Sequence, residues 1–109
     1  MVSVETVLDL LSEQRRRYAL YCLRDRDEPV AIEELADEVT RMEASVGDAD
    51  ESSVDPGDVE LALRHTHLPR ADEAEFVEYD PDAGVVRLTG EPPTFEEIAT
   101  VADVHERGE

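Results

Sequence analysis

The chain has no lysine, no asparagine and no tryptophan, and one cysteine among its 109 residues. A lone Cys22 cannot close an internal disulfide, which agrees with a reducing compartment and leaves packing to hold the fold. No apolar run approaches the roughly 18 residues of a membrane-spanning helix. The N-terminus also lacks the basic-then-apolar layout of a secretory leader, so the expected location is the cytoplasm, with no membrane contact. With five glycines there is no Gly-rich phosphate cradle, and neither a nucleophile motif nor a CxxC or HxxxH pair occurs. His65 and His67 are two apart, so on a helix they point in different directions, and together with Cys22 they make a poor ligand set. Asp48, Asp50 and Glu51 imitate a calcium loop, but Ser53 stands where that loop needs Gly and Val59 where it needs Glu. Neither an enzyme nor a resident metal or cofactor is expected.

Acid is what the chain has in excess. Twenty-nine Asp and Glu face ten basic residues, all of them Arg, for a net charge of −19. Hydrophobic residues make up 40%, enough for one domain with a modest core and too much for an acidic disordered tail. At low ionic strength such a surface repels itself. In molar salt the Debye length falls to about 3 Å and the repulsion largely vanishes. The composition resembles that of cytosolic proteins from halophilic archaea; the alternative is an acid surface kept for basic partners.

Hydrophobic periodicity divides the chain into short elements. Ser3 is a good N-cap for a helix carrying Val4, Val7, Leu8 and Leu11. From Ser12 a second stretch puts Tyr18, Ala19, Cys22 and Leu23 on one side, with Arg16, Arg17 and Arg24 largely off it; two helices and one bent helix fit equally. After a polar break at residues 25–29, Val30 and Ile32 suggest a short strand. Leu35, Ala36, Val39 and Met42 then mark a helix ending near Glu43, its solvated face made of Glu33, Glu34, Asp37 and Glu38. Residues 44–54 read as a surface loop. Asp55 before Pro56 starts another helix, with Val59, Leu63 and Ala74 on one face. Pro69 must bend or split that helix, and Leu61 and Leu68, off the face of an unbroken helix, call for a re-phasing kink. Residues 76–79 and 85–89 flank an Asp-Pro-Asp-Ala-Gly turn as a hairpin, with Val77, Tyr79, Val86 and Leu88 inward. Thr94 and Glu97 form a capping box before Ile98, Val101, Ala102 and His105.

Helix, short strand, two helices and a hairpin is the element order of a winged helix-turn-helix, mainly α with a small β hairpin. The stretches LSEQRRRYALYCL (residues 11–23), PVAIEELADEV (29–39) and THLPRADEAEFVEYDPDAGVVRLT (66–89) resemble a haloarchaeal family of small winged-helix domains. That family is mostly of unassigned function and is often described as transcriptional regulators. The resemblance runs from about residue 8 to 89 and implies a fold more sharply than an activity. The chain departs from it at Glu75, where Gly usually joins the third helix to the wing, and at Ala71, where Leu is usual.

The expected function is therefore a DNA-binding regulator. Its candidate contacts are Arg15, Arg16 and Arg17, the one basic run; Arg64 and His65 on the recognition helix; and Arg70 and Arg87. The competing reading makes these arginines salt-bridge partners on an acid-rich surface. Residues 31–60 carry eleven acids and one Arg, residues 1–30 six acids and five Arg, so double-stranded DNA should be met by the arginine-bearing ends and not by the 31–60 face. A protein–protein module without DNA binding is the alternative function. Residues 1–89 are expected to form the winged-helix domain and 90–109 a terminal helix that packs on it or mediates a homodimer.

Overall fold

A computed structural model describes residues 3–46, 55–74, 76–90 and 93–106. Asp48, Asp50, Glu51 and Glu75 lie outside them. The described residues form α1 (Val4–Leu11), α2 (Gln14–Arg24), β1 (Val30–Ala31), α3 (Ile32–Val46), α4 (Pro56–Ala62), a π-helical turn (Leu63–His67), α5 (Leu68–Asp72), β2 (Val77–Asp80), β3 (Val85–Leu88) and α6 (Pro93–Glu106). The molecule is mainly helical with one small three-stranded antiparallel sheet, an arrangement compatible with a winged helix. No helix among the described residues is long and apolar enough to cross a membrane.

The first segment resolves into two helices. Ser3 caps α1, its hydroxyl accepting from the Thr6 N–H. Ser12 ends that helix by returning its backbone N–H and its hydroxyl to the Asp9 carbonyl, so Ser12 closes α1 and Glu13 precedes α2. Leu10 is buried and Leu8 half-exposed, which turns the helix slightly from the face that Val4, Val7, Leu8 and Leu11 suggest. α3 runs past Glu43 to Val46.

Asp55 caps α4 through the Gly57 N–H, with Pro56 in the first turn. The expected kink exists, but it comes before Pro69. The backbone stays right-handed helical from α4 to α5, while the Leu68 N–H reaches back five residues to the Leu63 carbonyl. One extra residue in the turn rotates everything beyond it. Leu63 and Leu68 are thereby both fully buried and Leu61 is left outside. Pro69 then falls in the first turn of α5, where its missing N–H matters least.

The sheet has the order β1-β3-β2. Val30 pairs with Val86, and Val77 and Tyr79 pair with Leu88 and Val86, so the inward alternation of the hairpin holds. In the turn, Asp80 Oδ1 accepts from the Asp82 and Ala83 N–H groups. Gly84 takes φ +71°, a left-handed backbone that costs a side chain energy. Its carbonyl accepts from Ile32 N–H, fixing the start of α3 to the hairpin tip.

One core runs through the molecule, from Val7 and Leu10 through Tyr18, Leu20, Tyr21 and Leu23 to Ile32, Leu35, Val39, Val59, Leu63 and Val86. α6 is built into it. Phe95 and Ala99 are fully buried, and the Phe95 ring meets that of Phe76 at 4.9 Å between centroids. α6 begins at Pro93, so Thr94 lies inside the helix and not at its cap.

Candidate nucleic-acid interface

The basic run on α2 faces the protein. Arg16 is 3% exposed; its Nε donates to the Leu10 carbonyl at 2.8 Å and its Nη2 to the Asp9 carbonyl at 2.7 Å. Arg17 Nη1 donates to the Leu11 carbonyl at 2.6 Å. The carbonyls at the C-terminal end of α1, which has no basic residue in its own last turn, are thus met by two guanidiniums from the next helix. A helix C-terminus carries partial negative charge and unpaired acceptors, so this is a favourable seat for cations.

The other donors of Arg17 grip Glu106 on α6, both at 2.7 Å, and Tyr21 Oη donates to the same carboxylate at 2.6 Å. Burial alone would raise the Glu106 pKa, but the hydrogen bonds from Arg17 and Tyr21 outweigh it and hold it below the usual carboxylate value. Tyr21 is pushed well up, first by burial and then by its bond to Glu106. Arg15 binds both oxygens of Glu43 on α3, at 2.7 and 2.9 Å. Arg24 reaches Asp103 at 2.8 Å. α2 is therefore a basic spine that ties α1, α3 and α6 together.

The remaining candidates stand on the outer surface. Arg64, in the π turn, donates to Glu60 at 2.9 Å and to Glu33 at the start of α3 at 3.2 Å. His65 beside it is exposed. Arg70 meets Asp9 of α1 at 2.7 Å, and Arg87 meets its cross-strand neighbour Glu78 at 3.0 Å. The structure places Arg64, Arg70 and Arg87 on different elements, the π turn, α5 and β3, each with its own carboxylate partner. It does bring Arg16 to His67, whose Nδ1 lies 3.5 Å from Nη1. His67 is itself buried, and burial first, then the Arg16 charge, lowers its pKa below the ordinary histidine value.

A scan against family models matches residues 8–87. The chain belongs to the DUF7344 family, a domain of unknown function. No curated protein and no solved structure matches it. The DUF7344 match takes in α2, α3, the kinked helix and the hairpin, and stops short of α6. Two of the α2 spine's three ion pairs, those to Glu106 and Asp103, therefore reach beyond the matched span.

Sequence reasoning missed the cap formed by Arg16 and Arg17 and the clasp at Glu106. A usable signal existed for the first. A short helix whose last turn has no base, followed within a few residues by three arginines, invites capping from the next helix. The partner at Glu106, 89 residues from Arg17, has no local signature.

Proposed function

We propose that this chain is a winged helix-turn-helix protein of a salt-adapted cytoplasm that binds double-stranded DNA as a transcriptional regulator. One observation carries this reading: the kinked α4–α5 helix runs into the β2–β3 hairpin, and β3 pairs on its far side with β1, the short strand just before α3. In a winged helix that order gives one helix to the major groove and the hairpin to the flanking backbone. Arg64, His65, Arg70 and Arg87 are the side chains available for it. The three arginines are paired with surface carboxylates, and exposed pairs of this kind are held weakly. Arg15, Arg16 and Arg17 are engaged within the fold and are left out of the contact set.

About three phosphate contacts give a shallow salt slope, near −2.7 in log K against log salt. Fluorescence anisotropy with selected duplex DNA, in KCl from about 0.5 to 2 M, tests this. Arg64→Glu with Arg87→Glu should lower affinity at least about tenfold, while Arg41→Glu on α3 should not. A double variant that keeps its circular dichroism and binds DNA like the parent refutes the reading.

A second reading has its own observation. Asp55, Asp58 and Glu60 line the first turns of α4, and Glu33 closes on Arg64, so that helix end carries negative charge. A basic protein surface fits it better than a phosphate backbone. Under this reading the double reversal leaves association intact.

A further inference from the structure

Among the described residues five large hydrophobic side chains are exposed: Val4, Leu8, Leu61, Val101 and Val104. Four of them lie on α1 and α6, which pack side by side. Isolated exposed valines are ordinary, but these recur at i, i+4 on α1 and i, i+3 on α6, one stripe on each helix. In a chain of −19 charge an apolar stripe is a selective feature, and its position identifies what covers it.

We propose that α6 pairs antiparallel with α6 of a second copy, about a two-fold axis at Val101. Antiparallel helices related by such an axis bring together residues equally spaced on either side of it. Val101 then meets its own symmetry mate. Val104 comes level with Ile98, which is only partly buried by the domain's own core. His105 comes level with Glu97, and both are exposed. Apolar meets apolar, and acid meets imidazole, twice over. The stripe is complementary to itself, which singles out a copy of this chain as the occupant.

The neighbouring charges permit the approach. Asp103 and Glu106, the other acids in the second half of α6, are neutralised by Arg24 and Arg17 from behind, and Asp9 of α1 by Arg70. The 14 residues of α6 extend about 21 Å. With α1 alongside at about 9 Å, the footprint is roughly 400 Å² in projection, below the ~800 Å² per partner of a tight complex. The dimer is consequently weak, with a Kd in the micromolar range, roughly. It does not depend on the DNA reading, and a failure of either leaves the other standing.

Sedimentation equilibrium of the full chain in about 2 M KCl, where charge repulsion is screened, should show a monomer–dimer equilibrium. Val101→Asp should weaken it by about a hundredfold or more, since the change occurs twice at the axis, with helical circular dichroism unchanged. Val101→Cys should oxidise to a covalent dimer. Leu61→Cys, at 57% exposed against 58% for Val101, should not. A parent chain that stays monomeric at about 1 mM, where a micromolar dimer would be nearly complete, overturns the proposal. So does a Leu61→Cys chain that cross-links as readily as Val101→Cys. If Val101→Asp fails to fold, the cysteine pair decides.

Discussion

Replacing Arg16 with Ala separates an internal cap from a phosphate contact. The guanidinium gives charge-assisted bonds to the carbonyls of Leu10 and Asp9. The Asp9 carbonyl keeps Ser12 as a donor after the change, but the Arg16 bond is the donor that reaches Leu10 from outside the helix. Losing a bond from a charged donor costs about 1.5–3 kcal/mol, and the apolar stem of a side chain 3% exposed adds about 1 kcal/mol of lost packing. Relief from holding a charge in the interior offsets part of this. The expected cost is about 3 kcal/mol, a large share of the ~5–15 kcal/mol total of a small domain. With a urea m-value near 1.5 kcal/mol/M, the midpoint should fall by about 2 M at unchanged m. Arg16→Lys should recover less than half, because one ammonium cannot span two carbonyls as the planar fork does. By contrast Arg87→Ala, half-exposed and paired only to Glu78, should cost less than about 1 kcal/mol. Urea unfolding followed at 222 nm in about 2 M KCl reads both. An Arg16→Ala midpoint within about 0.3 M of the parent, together with weakened DNA binding, would refute the cap and return Arg16 to the surface set.

Three further outcomes follow from the same contacts. His67 has a lowered pKa in the fold, through burial first and then the charges of Arg16 and Arg15, with Glu13 and Glu43 partly favouring the proton; the unfolded chain therefore binds the proton first. Its contribution is fully present above about pH 6.5 and is lost as pH falls below that value toward the folded pKa, and His67→Gln should flatten the stability profile below about pH 6.5; parallel profiles for parent and variant would contradict this. Glu106→Gln weakens the clasp on Arg17 and Tyr21 and should cost about 1–2 kcal/mol, read by thermal melting; Asp82→Asn on the exposed turn should change nothing measurable. Gly84→Ala meets open space but keeps φ at +71°, so it should cost about 1 kcal/mol through backbone strain alone, with the difference seen in the urea midpoint.

Much of the framework was legible because its signals are local. Ser3 as a cap, Asp55 with Pro56 as a start, Gly84 in the turn and the alternation across β2 and β3 each depend on neighbours within a few residues. The need for a kink near Leu61 and Leu68 was also legible, because no straight helix buries Val59, Leu63 and Leu68 together. Its form was not, since Pro69 is a loud signal and a π turn has none of its own. Leu10 and Leu8 exchanged roles because one residue's rotation of α1 is decided by packing against α2 and α6. At the candidate interface the positions of the bases were legible but their direction was not. Whether an arginine points at solvent or at a carbonyl is settled by contacts such as Arg17 to Glu106, far apart in the chain.

The destination of each arginine bears on what an acidic surface does. A chain with this charge balance has few cations, and the fold directs four of those on α2 inward, to Glu43, to the carbonyls of α1, to Glu106 and to Asp103. Contacts to Glu43, Glu106 and Asp103 join groups that are mostly covered, so salt screens them less than it screens the repulsion among exposed acids. Raising ionic strength then removes the destabilising charge interactions while leaving much of the α2 network in place. Lysine, a strongly hydrated point charge, would serve that network poorly, whereas the guanidinium fork binds two acceptors at once. The all-arginine composition and the inward-facing basic helix are two views of one arrangement. A cluster of bases in such a sequence is in the first instance a tie between acidic helices, and a nucleic-acid contact has to be sought among the bases that are left exposed.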